Sequence, residues 1–324
     1  IQDYVGNEVR ILYSQGSHLY LDKEEQLAQK DDRISEALSV TEYCDVVILC
    51  VGLDESLEGE EGDTGNAYAS GDKKDLEFPQ GQKRLMDAVL NTDTPVIVCN
   101  FTGSAMNLSL ADEKAAAVIQ AWYPGAQGGA ALAKILFGEV SPSGKLPVTF
   151  YQSLDTLPAF EDYSMRGRTY RYLEEKPLYP FGYGLSYTTF SQTLDSLDVN
   201  LEDKTVTAKV TVKNIGDVAG KDVVQLYTSL PYTEYDKEHA VEKAAVQLLD
   251  YEKTGVLQPG ESVTVEITAD AQDMASWDSS CENEAGTTGN WILDNGTYYF
   301  TVGNGAHEAV NNVLAAQDQD VERK

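Results

Sequence analysis

The run Cys44-Asp45-Val46-Val47-Ile48-Leu49-Cys50-Val51 is apolar at nearly every position and rich in β-branched residues, and it opens directly into Gly52-Leu53-Asp54-Glu55-Ser56-Leu57-Glu58. A continuous apolar run of this length suits a strand buried on both faces, as in a parallel sheet. Two more such runs follow, at residues 94–100 and 117–122. Helical patterns separate them. Leu27, Ile34, Ala37 and Leu38 recur at roughly helical intervals over 24–40. Pro79 opens a helix over 79–91 whose apolar face is Leu85, Met86, Val89 and Leu90. Residues 111–116 form a short helical stretch, and an Ala-rich helix over 128–136 ends at Gly138. Strands alternating with helices predict an α/β domain, a mostly parallel sheet sandwiched by helices. A short strand is expected ahead of it at 9–13.

Working outward from that domain, Ser141-Pro142-Ser143-Gly144 turns the chain off the sheet. Residues 151–190 are aromatic and irregular, with Pro158, Pro177 and Pro180. Beyond Phe190 the period changes to two: Val206, Ala208, Val210 and Val212 alternate with polar residues, as do Val263, Val265 and Ile267. Turn sequences at 214–220, Gln258-Pro259-Gly260 and Asp294-Asn295-Gly296 separate the strands. The expected organisation is an α/β domain at 1–150, a packed aromatic linker at 151–190 and an all-β, immunoglobulin-like sandwich at 191–324, ending in a polar tail from 315.

Composition narrows the function. With 24 Lys plus Arg against 53 Asp plus Glu the net charge is −29, which disfavours nucleic acid and anionic membrane, since both need a cationic surface. A neutral ligand such as a sugar remains compatible. No apolar run approaches the roughly 18 residues of a membrane span. Four cysteines, Cys44, Cys50, Cys99 and Cys281, lack zinc-like spacing and read as buried free thiols of a reducing compartment. The first ten residues show neither a basic leader nor an apolar signal core. A cytoplasmic location is the expectation.

Ligands of parallel sheets bind beyond the carboxyl ends of the strands. The acidic segment 52–75, longer than a simple connection, is therefore the candidate site. Crowded carboxylates raise one another's pKa, as a general acid at neutral pH requires; composition alone favours a solvated acidic loop, and the length of the segment argues for function. Other chemistries fit less well. Gly125-Ala126-Gln127-Gly128-Gly129 has no Lys-Ser/Thr and reads as close helix packing. His18, His239 and His307 are scattered, so no metal site is expected. Gly103-Ser104-Ala105 lacks the second glycine of a nucleophile elbow.

Five blocks in order now resemble the C-terminal half of family 3 glycoside hydrolases. They are Val51-Gly52-Leu53-Asp54 with Leu57-Glu58-Gly59-Glu60-Glu61-Gly62-Asp63, then Asp75-Leu76 with Pro79 and Gln82, then Trp122-Tyr123-Pro124-Gly125 with Gly128-Gly129. Pro142-Ser143-Gly144-Lys145-Leu146-Pro147-Val148-Thr149 follows, and last Arg168-Thr169-Tyr170-Arg171-Tyr172 leading to Tyr179-Pro180-Phe181-Gly182-Tyr183-Gly184-Leu185-Ser186-Tyr187-Thr188. The downstream strands are similar to the fibronectin-III-like domain that follows in many members.

The resemblance implies a retaining β-glycosidase without cofactor. A barrel domain would carry an aspartate nucleophile and this chain the acid/base glutamate. Glu58 is the residue implied, with Glu61 and Glu60 as alternatives, and Asp54 and Asp63 as loop-shaping or substrate-binding residues. The partners implied are a β-linked oligosaccharide or glycoside and the barrel, on the same or a separate chain; the resemblance leaves homo-oligomers open. Because no barrel precedes residue 1, the sheet is expected to be truncated at its N-terminus and the chain alone inactive. The loop type favours a β-glucosidase of bacterial kind, with a β-xylosidase or a non-catalytic carbohydrate-binding module as alternatives.

Overall fold

The structure is a computed structural model and describes residues 1–21, 29, 31–59, 73–155, 157–319 and 321. Two units follow from its contacts: Ile1–Glu139 with Phe150–Asp155, and Val140–Thr149 with Thr156–Lys324.

The first unit contains α1 (Gln2–Val5), α2 (Asp32–Thr41), β1 (Val47–Gly52), α3 (Gln80–Leu90), β2 (Val96–Phe101), α4 (Ser109–Lys114), β3 (Ala117–Gln120) and α5 (Gly128–Leu136). Its strands form one parallel sheet in the order β1-β2-β3, with Val47 opposite Val96 and Ile97 opposite Ala117. Leu49, Val51, Val96, Val98 and Cys99 are buried in it, and α3 buries Leu85, Met86, Val89 and Leu90. Each such side chain contributes about 1.5–3 kcal/mol relative to leaving it in water. Proline at the start of α3 costs nothing, because the first amides of a helix have no acceptor within it.

Residues 9–13 are irregular rather than a strand, with Tyr13 83% exposed. A strand needs a neighbour for its backbone hydrogen bonds, and among the described residues none pairs there. Of the helix expected over 24–40, the described part runs from Asp32; residues 22–28 and 30 lie outside the described set. The four cysteines are free, but only Cys99 is fully buried and Cys50 is exposed.

The second unit contains α6 (Thr169–Tyr172), β4 (Phe190–Asn200), β5 (Thr205–Asn214), β6 (Val223–Ser229), α7 (Glu234–His239), β7 (Gln247–Lys253), β8 (Ser262–Asp270), β9 (Ser276–Glu282), β10 (Thr288–Ile292), β11 (Tyr299–Gly303) and α8 (Ala306–Ala316). Antiparallel sheets β4-β5-β8 and β11-β6-β7 form the sandwich, and β9 and β10 make a separate hairpin. Period-two alternation works as expected on β5, where Val206, Ala208, Val210 and Val212 are all fully buried, and on β8 through Val265, Ile267 and Ala269. Val263 lies nearer the strand end and stays 37% exposed.

Strand β6 has no alternation because both its faces are covered. Val224 and Leu226 enter the sandwich core, while Tyr227 enters a second cluster with Ala306, Ala309 and Val313 of α8. Tyr170 and Phe181 stack at 4.3 Å between ring centres and pack on that cluster, so the aromatic stretch before the sandwich is part of this unit. Helix α8 occupies the approach to the expected polar tail. Two of the sequence blocks are bound to each other: Leu146 N donates to Tyr183 O (2.9 Å) and Gly182 N to Leu146 O (2.7 Å).

Candidate active site

The end of β1 is built for a close approach. Gly52 has φ +156°, and a Cβ there would stand 2.1 Å from the carbonyl oxygen of Phe101 at the end of β2. No other residue fits without moving a strand. The buried amide of Gln82, from α3, brackets this point: it accepts from Gly52 N (2.8 Å) and donates to Gly52 O and Leu19 O (both 2.7 Å). Just beyond, Leu57 N and Glu58 N both donate to Asp54 O (2.9 Å), closing a turn that buries Leu53 and Leu57. Asp54 shapes this turn with its side chain, Oδ1 accepting from Ser56 N (3.0 Å) and Ser56 Oγ (2.6 Å).

Burying Leu57 directs the next side chain, Glu58, across the ends of the neighbouring strands. Its Oε2 accepts from Gly103 N (2.6 Å), in the loop after β2, and from the hydroxyl of Tyr123, after β3. Its Oε1 accepts from the hydroxyl of Ser104. All three strands therefore meet at one carboxylate. The loop after β2 is braced by Asn100 at the strand end, whose Nδ2 donates to Thr102 Oγ1 (2.9 Å) and to Gln120 Oε1 (2.6 Å). Thr102 Oγ1 donates in turn to Ser104 O (2.8 Å). Lys73 completes the cluster, its Nζ donating to Ser104 Oγ (2.7 Å), Ala105 O (3.0 Å) and Met106 Sδ (3.1 Å).

Burial pushes the Glu58 carboxyl toward its neutral form, but the Ser104 and Tyr123 hydroxyls, the Gly103 amide and the Lys73 charge together outweigh it, and its pKa lies below the ordinary glutamate value. Burial lowers the Lys73 ammonium, opposed by the negative charges of Glu58 and Asp75. Tyr123 is raised by burial first and then by its bond to Glu58, so it remains a donor. In this seat Glu58 is held as an anion, and it gains proton affinity only when one of these donors leaves it.

Of the residues singled out from sequence, Glu58 and Asp54 are brought to this place; Glu60, Glu61 and Asp63 lie outside the described residues. Sequence reasoning placed Lys73 in the candidate segment without giving it a part, and did not assign Gly103, Ser104 and Tyr123 to the site. The signal that could have found three of them is position: Gly103, Ser104 and Tyr123 sit just past predicted parallel strands, where loops converge.

Residues 2–187 match the family model described as the glycosyl hydrolase family 3 C-terminal domain, and residues 222–306 match a fibronectin type III-like domain. The periplasmic beta-glucosidase of Salmonella typhimurium is 33% identical over 313 residues, which are 88% of this chain and 39% of that protein. A xylan 1,4-beta-xylosidase of Xylanibacter ruminicola is 43% identical over 182 residues, 56% of this chain and 21% of that protein. Among solved structures, the beta-glucosidase of Kluyveromyces marxianus superposes with a TM-score of 0.70 at 31% identity, over 86% of this chain and 32% of that one. The chain thus spans about two fifths or less of the length of these relatives.

Proposed function

This chain belongs to glycosyl hydrolase family 3 through its C-terminal domain, and from that premise we propose that it supplies the acid/base carboxyl of a retaining β-glucosidase. In this reading Glu58 carries the proton, and an aspartate nucleophile comes from a barrel domain outside these 324 residues. The substrate is a terminal, non-reducing β-D-glucosyl residue of a short oligosaccharide or glycoside. What supports the reading is the position of Glu58, beyond the carboxyl end of β1 and joined to the loops that follow β2 and β3, the other two strands of the parallel sheet.

Retention needs two carboxyl groups roughly 5–5.5 Å apart, one attacking the anomeric carbon and one protonating the departing oxygen. In the first step Glu58, protonated, gives its proton to the leaving group as the nucleophile's bond to the sugar forms. In the second the same group, now ionised, takes a proton from water as the glycosyl–enzyme bond breaks. The seat described above holds the ionised form, so the first step needs a donor to withdraw. Without the nucleophile the chain turns nothing over, and assay of these 324 residues with an aryl β-glucoside is expected to give no product.

Support for glucose over xylose comes from the relatives: those named beta-glucosidases align with 84–94% of this chain. A β-xylosidase is the second reading, favoured by the higher identity to the xylosidase over a shorter stretch. The test is Glu58→Gln in the full-length enzyme that contains this chain. Turnover of glycosides with poor leaving groups should fall about 10²–10⁴-fold, activated aryl glycosides should lose far less, and azide should restore rate by forming the glycosyl azide. An unchanged rate for poor leaving groups, with the same loss appearing on Glu61→Gln or Glu60→Gln, would move the assignment along the loop.

A further inference from the structure

The Glu58 carboxylate takes three donors among the described residues, and they differ in how firmly they are held. Ser104 has one hydroxyl proton and gives it to Oε1. Lys73 fixes that direction by donating to the Ser104 oxygen and by anchoring its other protons on Ala105 O and Met106 Sδ. Lys73 therefore acts on Glu58 through Ser104. Gly103 belongs to the same braced loop, and its bare Cα matters: a Cβ there would stand 2.9 Å from Cε2 of Tyr123 and 3.2 Å from Oε2 of Glu58. Tyr123 is the loose member, being 51% exposed and following Trp122, whose φ of +56° is in the left-handed region. Its hydroxyl can exchange Glu58 for water.

We propose that Lys73, Ser104 and Tyr123 are positioning residues that hold Glu58 in a retracted seat over the ends of β2 and β3, with Tyr123 the donor that yields when a leaving-group oxygen approaches. The proposal rests on the acid/base reading of Glu58 only for its kinetic consequence; the seat itself stands on the hydrogen bonds. Among the described residues, the charged groups that act on the cluster besides Glu58 and Lys73 are Asp75, which acts on Lys73, and Asp54, which acts on Tyr123. Each seat donor favours the anion, so removing one raises the Glu58 pKa and lets the protonated acid persist to higher pH.

The first measurement is a carboxyl ¹³C titration of the 324-residue chain, with the Glu58 resonance identified by its loss in Glu58→Gln. Tyr123→Phe, which keeps the ring, and Ser104→Ala should each move the Glu58 midpoint upward. Lys73→Met should do the same, and Lys73→Arg should bring it back toward the parent. Midpoints unmoved by both Tyr123→Phe and Ser104→Ala in folded protein would overturn the seat. The second measurement is the pH profile of kcat/KM for Tyr123→Phe in the full-length enzyme, whose alkaline limb should shift upward with the midpoint. Were the midpoint to move and the limb to stay, the seat would stand and the acid/base reading of Glu58 would fall.

Discussion

Glu58 in the first unit and Asp278 in the second are held by nearly the same chemistry. Each carboxylate takes a tyrosine hydroxyl, a serine hydroxyl and backbone amide protons. For Asp278 the donors are Tyr235 Oη (2.6 Å), Ser280 Oγ (2.7 Å), Ser280 N (2.8 Å) and Cys281 N (3.2 Å). What differs is where the donors come from. Three of the four bonds to Asp278 come from residues two or three positions along the same strand, whereas among the described residues every donor to Glu58 is 45 or more residues away. Asp278 is also fully buried, while Glu58 is half-buried at a loop. A locally tied, enclosed carboxylate serves the fold; one gathered from distant loops at the end of a parallel sheet can serve a substrate.

The contrast predicts unequal effects on stability. The largest should come from the buried ion cluster that reaches the Asp278 strand through Ser276, where Lys243 Nζ meets Asp236 (3.2 Å), Asp294 and Ser276 Oγ (2.9 Å) with its side chain only 5% exposed. Lys243→Met leaves two carboxylates enclosed without their cation and should cost about 3–5 kcal/mol, read as a lowered urea midpoint. If that midpoint does not move, the second unit's polar cluster is not structural.

A smaller effect is expected of Asp278→Asn, a loss of stability at neutral pH that narrows as the pH falls into acid. The Tyr235 and Ser280 hydroxyls, against the opposing pull of burial, hold the Asp278 pKa at about 2, and Tyr235 is pushed up to about 12, first by its bond to Asp278 and then by burial. A depressed carboxylate adds stability that is present above its unfolded value of about 3.9 and is lost as pH falls through its folded value. Stability of the parent should therefore decline from roughly pH 4 toward pH 2 more steeply than that of Asp278→Asn. Equal slopes in acid urea titrations would remove Asp278 from this role. The smallest change should be that of Ser104→Ala, about 0.5–1.5 kcal/mol below the parent at neutral pH for one half-buried hydrogen bond. Should it cost as much as Ser280→Ala, the distinction between a site and a structural knot would break.

How far the sequence could be read depended on whether the signal was local. The three parallel strands, helix α3 with its proline start, and the alternating β5 and β8 are periodic over their own length, and the structure has them within a few residues. Residues 9–13 have the composition of a strand and no strand partner among the described residues, so composition misled. Strand β6 and helix α8 were hidden for the opposite reason, since Tyr227 and Ala309 bury a face that local alternation does not announce. At the candidate site the sequence pointed to the acidic loop and to Glu58 but not to Ser104 or Tyr123, whose part depends on contacts 46 and 65 residues apart.

By itself the sequence determined the class of fold, the family and the loop that bears the carboxyl, because those follow from periodicity and from blocks of contiguous residues. Only the tertiary structure decided the state of that carboxyl, ionised and seated among donors from β2 and β3. Proton affinity depends on what stands within about 3 Å of an oxygen, and a parallel sheet brings together there residues that the chain keeps far apart.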